Sequence, residues 1–199
     1  MLNRRTMVLA SATTLSRLSL VALGTPAMVE AQESGPGSSP LVAPPELATE
    51  LPVAQWVGTA RMRYFTFNVY DASLWVAPGF SARRYTQSVL ALQLRYLRNL
   101  DGHAIAQRSL EEMRKSATLA PAQEQRWLAA MQEAFPDVKT GDRLTGLHQP
   151  GVGARFWLNG VARAVVADPD FSRAFFGIWL ADSTSEPRLR AALLAHAAP

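Results

Sequence analysis

The 199-residue chain has no cysteine, which removes disulfides, thiolate nucleophiles and cysteine-ligated zinc whatever the compartment. Histidine is scarce too. His103, His148 and His196 share no metal-ligand spacing with one another or with a carboxylate pair, so neither a metal nor a cofactor is expected. Charge of one sign is also missing: 20 Lys plus Arg stand against 16 Asp plus Glu. Arg4, Arg5, Arg17 and Glu30 precede the expected mature start, and removing them halves the formal excess of +4. No basic stripe of the kind that follows a phosphate backbone remains, so nucleic acid is not an expected partner. A membrane span needs about 20 uninterrupted apolar residues, and Arg17 breaks the one candidate run. Ser109, Ser172 and Ser183 lack the Gly-x-Ser-x-Gly setting of a nucleophile elbow. Gly151 and Gly153 open no helix and so form no phosphate cradle.

What is present begins with a targeting pattern. Arg4 and Arg5 precede an Ala, Leu and Val-rich segment, and Val29-Glu30-Ala31 fits a small-residue cleavage site. Residues 1–31 are read as an export signal resembling the twin-arginine type, with the Sec route open, and imply a periplasmic or secreted protein with no stable span after its removal. Residues 32–50, with Gly35, Pro36, Gly37, Pro40, Pro44 and Pro45, read as a disordered linker. Residues 51–199 form one domain.

The domain pivots on residues 90–113. Leu90, Leu92, Leu94 and Tyr96 alternate with Ala91, Gln93, Arg95 and Leu97, the period of a strand with one buried face. Asn99, Asp101 and Gly102 turn the chain, and Ala106, Leu110 and Met113 then recur at helical spacing. Before this unit, residues 56–76 read as strand with bends at Gly58 and near residues 71–73. After it, Ala122 to Phe135 reads as a second helix. Arg143 to His148, Ala154 to Leu158 and Val161 to Val166 follow as short strands, the last two joined by a hairpin at Asn159-Gly160. Asp168-Pro169 starts a third helix and Pro187 a fourth. This order predicts an α+β domain whose antiparallel sheet is covered on one face by helices.

Four stretches in this order resemble the chalcone isomerase superfamily, and in particular its bacterial chalcone isomerase-like branch. They are Gly58 to Trp75, containing Val69-Tyr70-Asp71; Leu94 to Met113, containing Leu100-Asp101-Gly102; Phe135 to Asp142; and Phe171 to Leu180 with Arg188 and Arg190 beyond. The resemblance implies an open-faced β-sandwich with a ligand cleft between sheet and helices. In the enzymes of that superfamily a tyrosine, a lysine and an asparagine at i, i+3 and i+7 share one helical face, and a threonine or serine stands on a later helix. Alignment on Leu100-Asp101-Gly102 puts Ile105, Arg108 and Glu112 on the helical face, and Ile178 at the later hydroxyl position. An isoleucine cannot donate to a carbonyl or relay a proton, so the family's cyclisation is not expected.

A non-catalytic branch of the superfamily holds fatty acids by an arginine and a tyrosine on its early strands. Tyr70 matches that tyrosine. Strict alternation puts Arg61 and Arg63 on the opposite face, and a bulge or hairpin between Tyr64 and Asn68 would be needed to align either with it. The expectation is an exported, non-catalytic binder of a small apolar or fatty-acid-like ligand, anchored by Arg61 or Arg63, Tyr70 and Arg108, in a cleft lined by Ile105 and Ile178. Two alternatives stand beside it. One is an isomerase, an intramolecular lyase, acting on a chalcone-like or other enone substrate through Arg108 and Glu112. The other is an interaction module whose cleft is filled by Ile105, Phe175 and Ile178.

Overall fold

The computed structural model describes residues 42–116 and 118–197. The export signal and the linker as far as residue 41 lie outside the described residues. Six antiparallel strands, β1 (Gln55–Tyr64), β2 (Phe67–Val76), β3 (Leu90–Tyr96), β4 (Arg143–Gln149), β5 (Gly153–Leu158) and β6 (Val161–Val166), lie side by side in chain order. Helices α1 (Gly102–Ser116) and α2 (Pro121–Ala134) separate β3 from β4, and α3 (Pro169–Leu180) and α4 (Pro187–Leu193) follow β6. The α+β architecture is the expected one.

Alternation decides what each face carries. Leu90, Leu92, Leu94 and Tyr96 of β3 face the helices, where Leu110 and Met113 of α1, Met131 of α2 and Phe171, Phe175 and Phe176 of α3 complete the main core. Local chemistry sets the helix ends. Asp101 accepts from the backbone N–H of Ala104 at 2.8 Å to start α1. Asp168 caps α3 by accepting from the N–H groups of Asp170 and Phe171, and its second oxygen accepts from the Trp127 indole at 2.8 Å, tying α2 to the cap. Asn159 and Gly160 adopt the positive φ values, 51° and 83°, of the expected tight hairpin.

The stretch 56–76 is two strands, not one. They turn at Phe65-Thr66, where no Gly, Asn or Pro announces a turn, and Phe65 takes a φ of 52° that costs a bulky residue about 1–2 kcal/mol. The bend at Gly58 is a bulge in β1, with Val57 as the extra residue; pairing through residues 71–73 is regular. A Cβ on Gly58 would lie 2.4 Å from the carbonyl oxygen of Ala192, so glycine lets α4 cross β1 closely.

Residues 42–50, expected to belong to the disordered linker, are instead ordered. Pro45–Leu47 forms a single 3-10 turn, and Leu47 and Leu51 pack with Trp75, Ala91, Leu147 and Trp157 in a second small core on the sheet's outer face. Proline-rich composition hid two anchors: Glu46 accepts from the Thr145 hydroxyl at 2.5 Å, and Glu50 pairs with Arg155. Leu47 is fully buried, so Leu47→Ala should cost about 2–4 kcal/mol in a denaturant titration.

Beneath α3, His148 is buried between sheet and helix. Its Nε2–H donates to the Thr86 carbonyl at 3.2 Å, leaving Nδ1 to accept from the Ser172 hydroxyl at 2.6 Å. Burial depresses the imidazole pKa below 6.5, against the smaller opposing effect of the Thr86 carbonyl. The unfolded chain therefore binds a proton that the folded one refuses, and stability falls as pH drops below about 6.5. The stability advantage of the native chain over His148→Gln should shrink over that interval, measured by thermal unfolding at a series of pH values.

Candidate functional site

Between the sheet and helices α1 and α3 lies a cavity of about 330 Å³. Met62, Val69, Tyr70, Leu94, Tyr96 and Leu144 form its sheet wall. Ile105, Ser109, Phe175, Ile178, Trp179 and Leu189 form its helical wall. Tyr64, Arg98, Ala104, Arg108, Ser185 and Glu186 line it while remaining exposed, so they mark where it opens. The size falls at the lower end of the range of about 300–1,000 Å³ found for small-molecule sites.

Strand register builds the sheet wall. Met62 pairs with Tyr70, and Tyr70 with Tyr96, giving a cross-strand row on one face. The required hairpin does lie between Tyr64 and Asn68, at Phe65-Thr66, but the extra residue Val69 of β2 shifts the pairing so that Tyr70 lies beside Met62 and Arg61 beside Asp71. Arg61 and Arg63 therefore stay off the cavity. Arg61 forms a two-point pair with Asp71, at 2.6 and 3.0 Å, which Arg95 joins at 2.7 Å. Arg63 is exposed on the same strand. The expected arginine anchor on β1 is not part of this site.

The remaining candidates come together. Tyr70, Ile105, Arg108, Glu112 and Ile178 all line the cavity. Ile105, Phe175 and Ile178 form part of the wall without filling the space. Arg108 reaches Glu112 at 2.5 Å and Glu111 at 3.3 Å. Glu112 also accepts from Lys115 at 2.7 Å and from the Ser185 hydroxyl at 2.6 Å. Burial pushes the Glu112 carboxyl upward, but the hydrogen bonds from Lys115 and Ser185 and the charges of Arg108 and Lys115 outweigh it and hold it below its ordinary value. A carboxylate engaged by three donors is an anchor between α1 and the segment leading to α4, rather than a free base.

The polar interior belongs to the sheet. The Tyr70 hydroxyl accepts from the Trp179 indole N–H at 3.0 Å and keeps its own proton for donation. Burial raises it to about 12, helped by Glu186 and Glu112 and opposed by Trp179 and Arg108. Tyr96, only 1% exposed, stands edge-on to Tyr70 with ring centroids 6.1 Å apart. Burial, and then Tyr70, push its hydroxyl up as well, and it has no hydrogen-bond partner among the described residues. Both hydroxyls are therefore held as neutral donors. Tyr96 and Arg98 were not singled out in the sequence, although the alternation through Leu94 and Tyr96 places Arg98 on the same face. Among the described residues no group of His, Asp and Glu is arranged to hold a metal ion, and no helix is long and apolar enough to cross a membrane.

A family model described as chalcone isomerase-like matches residues 55–195. The chain belongs to the chalcone isomerase-like family. An uncharacterized protein of Haemophilus influenzae is 30% identical over 145 residues, covering 72% of this chain and 70% of that protein. A fatty-acid binding protein of Arabidopsis thaliana shares the fold, with a TM-score of 0.56 at 9% identity over 71% of this chain and 86% of that one. Within this chalcone isomerase-like domain, Glu112→Gln should cost about 1 kcal/mol at neutral pH. Because the Glu112 pKa is lowered in the fold, that cost should fade as pH drops below 4.5, which unfolding titrations at several pH values measure.

Proposed function

We propose that this domain binds a small amphipathic molecule of fatty-acid type without chemically altering it, and that it works outside the cytoplasm after export. One observation carries the binding reading: an apolar cavity of about 330 Å³ presents two neutral tyrosine side chains, the half-buried Tyr70 and the buried Tyr96. An acyl chain suits the walls of leucine, isoleucine and phenylalanine, and a carboxylate or carbonyl oxygen suits hydroxyl donors on neighbouring strands. Arg98 at the opening adds positive charge, whereas Arg108 there is paired with Glu111 and Glu112. The structural likeness to a plant fatty-acid binding protein supports the same reading. Support for export comes from the paired arginines, the apolar segment and the small-residue cleavage pattern before residue 32.

The isomerase alternative has less to work with. Hydroxyls are absent at Ile105 and Ile178, and Glu112 is already occupied by Arg108, Lys115 and Ser185. Lipid extracted from the purified protein should contain a carboxylate in stoichiometric amount. Tyr70→Phe and Tyr96→Phe should each weaken its retention by roughly 3–10-fold, the value of one hydrogen bond. Unchanged retention in both variants would count against the reading, as would turnover of chalcones or related enones that disappears in Glu112→Gln.

A further inference from the structure

We propose that the tip of the β1–β2 hairpin is a docking surface for an anionic lipid bilayer. Tyr64, Phe65 and Phe67 are 56%, 85% and 56% exposed at this single turn. Phe65 holds a positive φ there, a conformation a bulky side chain rarely adopts, and its ring meets Tyr64 edge-on at 4.7 Å. The fold thus spends backbone strain to place an aromatic ring in water, and strain of this kind clusters at functional sites.

Charge indicates what covers the tip. The strand ends beside it carry Arg61, Arg63, Arg95 and Arg98 against one carboxylate, Asp71, which is shared by Arg61 and Arg95. No described carboxylate pairs with Arg63 or Arg98. The Arg98 guanidinium instead lies 4.8 Å above the Phe67 ring. Aromatic rings flanked by arginines match the interfacial zone of a bilayer, where rings sit at headgroup depth and guanidinium groups meet phosphates.

Area separates a membrane from a protein partner. A fully buried aromatic side chain removes about 150–250 Å² from water, so these three offer roughly 400 Å² at their observed exposures. A stable protein interface needs about 800 Å² per partner with matched shape. A bilayer imposes no such match. Tyr64 and Arg98 also line the cavity, so docking would bring its opening to the lipid surface. The inference stands on the tip itself and does not depend on what fills the cavity.

The test is flotation of the full chain with vesicles of phosphatidylcholine, with and without phosphatidylglycerol, and with the N-terminal segment identical in every variant. The native chain should bind the phosphatidylglycerol vesicles more tightly, and less so as salt rises. Arg63→Gln should weaken binding roughly fivefold. Phe65→Ser combined with Phe67→Ser should weaken it tenfold or more, with thermal stability and extracted ligand unchanged. Absence of binding would overturn the proposal, as would equal binding by the native chain and both variants. Tip-dependent self-association without vesicle binding would overturn it in favour of a protein contact.

Discussion

The row Met62, Tyr70 and Tyr96, one residue from each of three neighbouring strands, is the constraint on which the site depends. Because strand side chains alternate, fixing this row toward the helices sends Arg61, Asp71 and Arg95 to the other face, where they meet as a cluster. A slip of one residue would exchange the two sets, setting guanidinium groups against Phe175 and Trp179 and the tyrosines in water. The charged cluster and the apolar cavity therefore fix the same register from opposite sides of one sheet.

Relative to the pattern that the chain resembles, the donors have moved. Where the enzymes of the superfamily carry helical hydroxyls, Ile105 and Ile178 supply apolar wall, and tyrosine hydroxyls stand on β2 and β3. Rigid strands held by neighbours on both sides position a donor well. They also set it at the base of the space, opposite the helices, where it can hold the polar end of a ligand. Glu112, by contrast, is committed to cross-linking α1 and the segment before α4.

Much of this was legible in the chain because the relevant signals were local. The alternation through residues 90–96, the turn before Gly102, the helix start at Asp168 and the Asn159-Gly160 hairpin each depend on a few adjacent residues, and each appears as expected. The turn at Phe65-Thr66 was not legible, since its residues have no intrinsic turn preference and the surrounding strands impose the conformation. The facing of Arg61 and Arg63 relative to Tyr70 depends on the extra residue Val69, a property of pairing and not of either strand alone. Tyr96 could be read as an inward residue. That its hydroxyl is left without a partner depends on the space that α1 and α3 leave open.

The ordered arm at residues 42–54 has a consequence for how the domain is made. Its anchors lie far ahead in the chain: Glu46 bonds a residue 99 positions on, and Glu50 one 105 positions on. During synthesis the arm emerges before the six strands, yet the surface that receives it exists only once β4 and β5 have joined the sheet. Contacts of such sequence separation bear a large loop-closure entropy and form late. A segment made before every strand it packs against is thus among the last to settle, and until it does Trp75, Leu147 and Trp157 remain open to chaperones or to neighbouring chains.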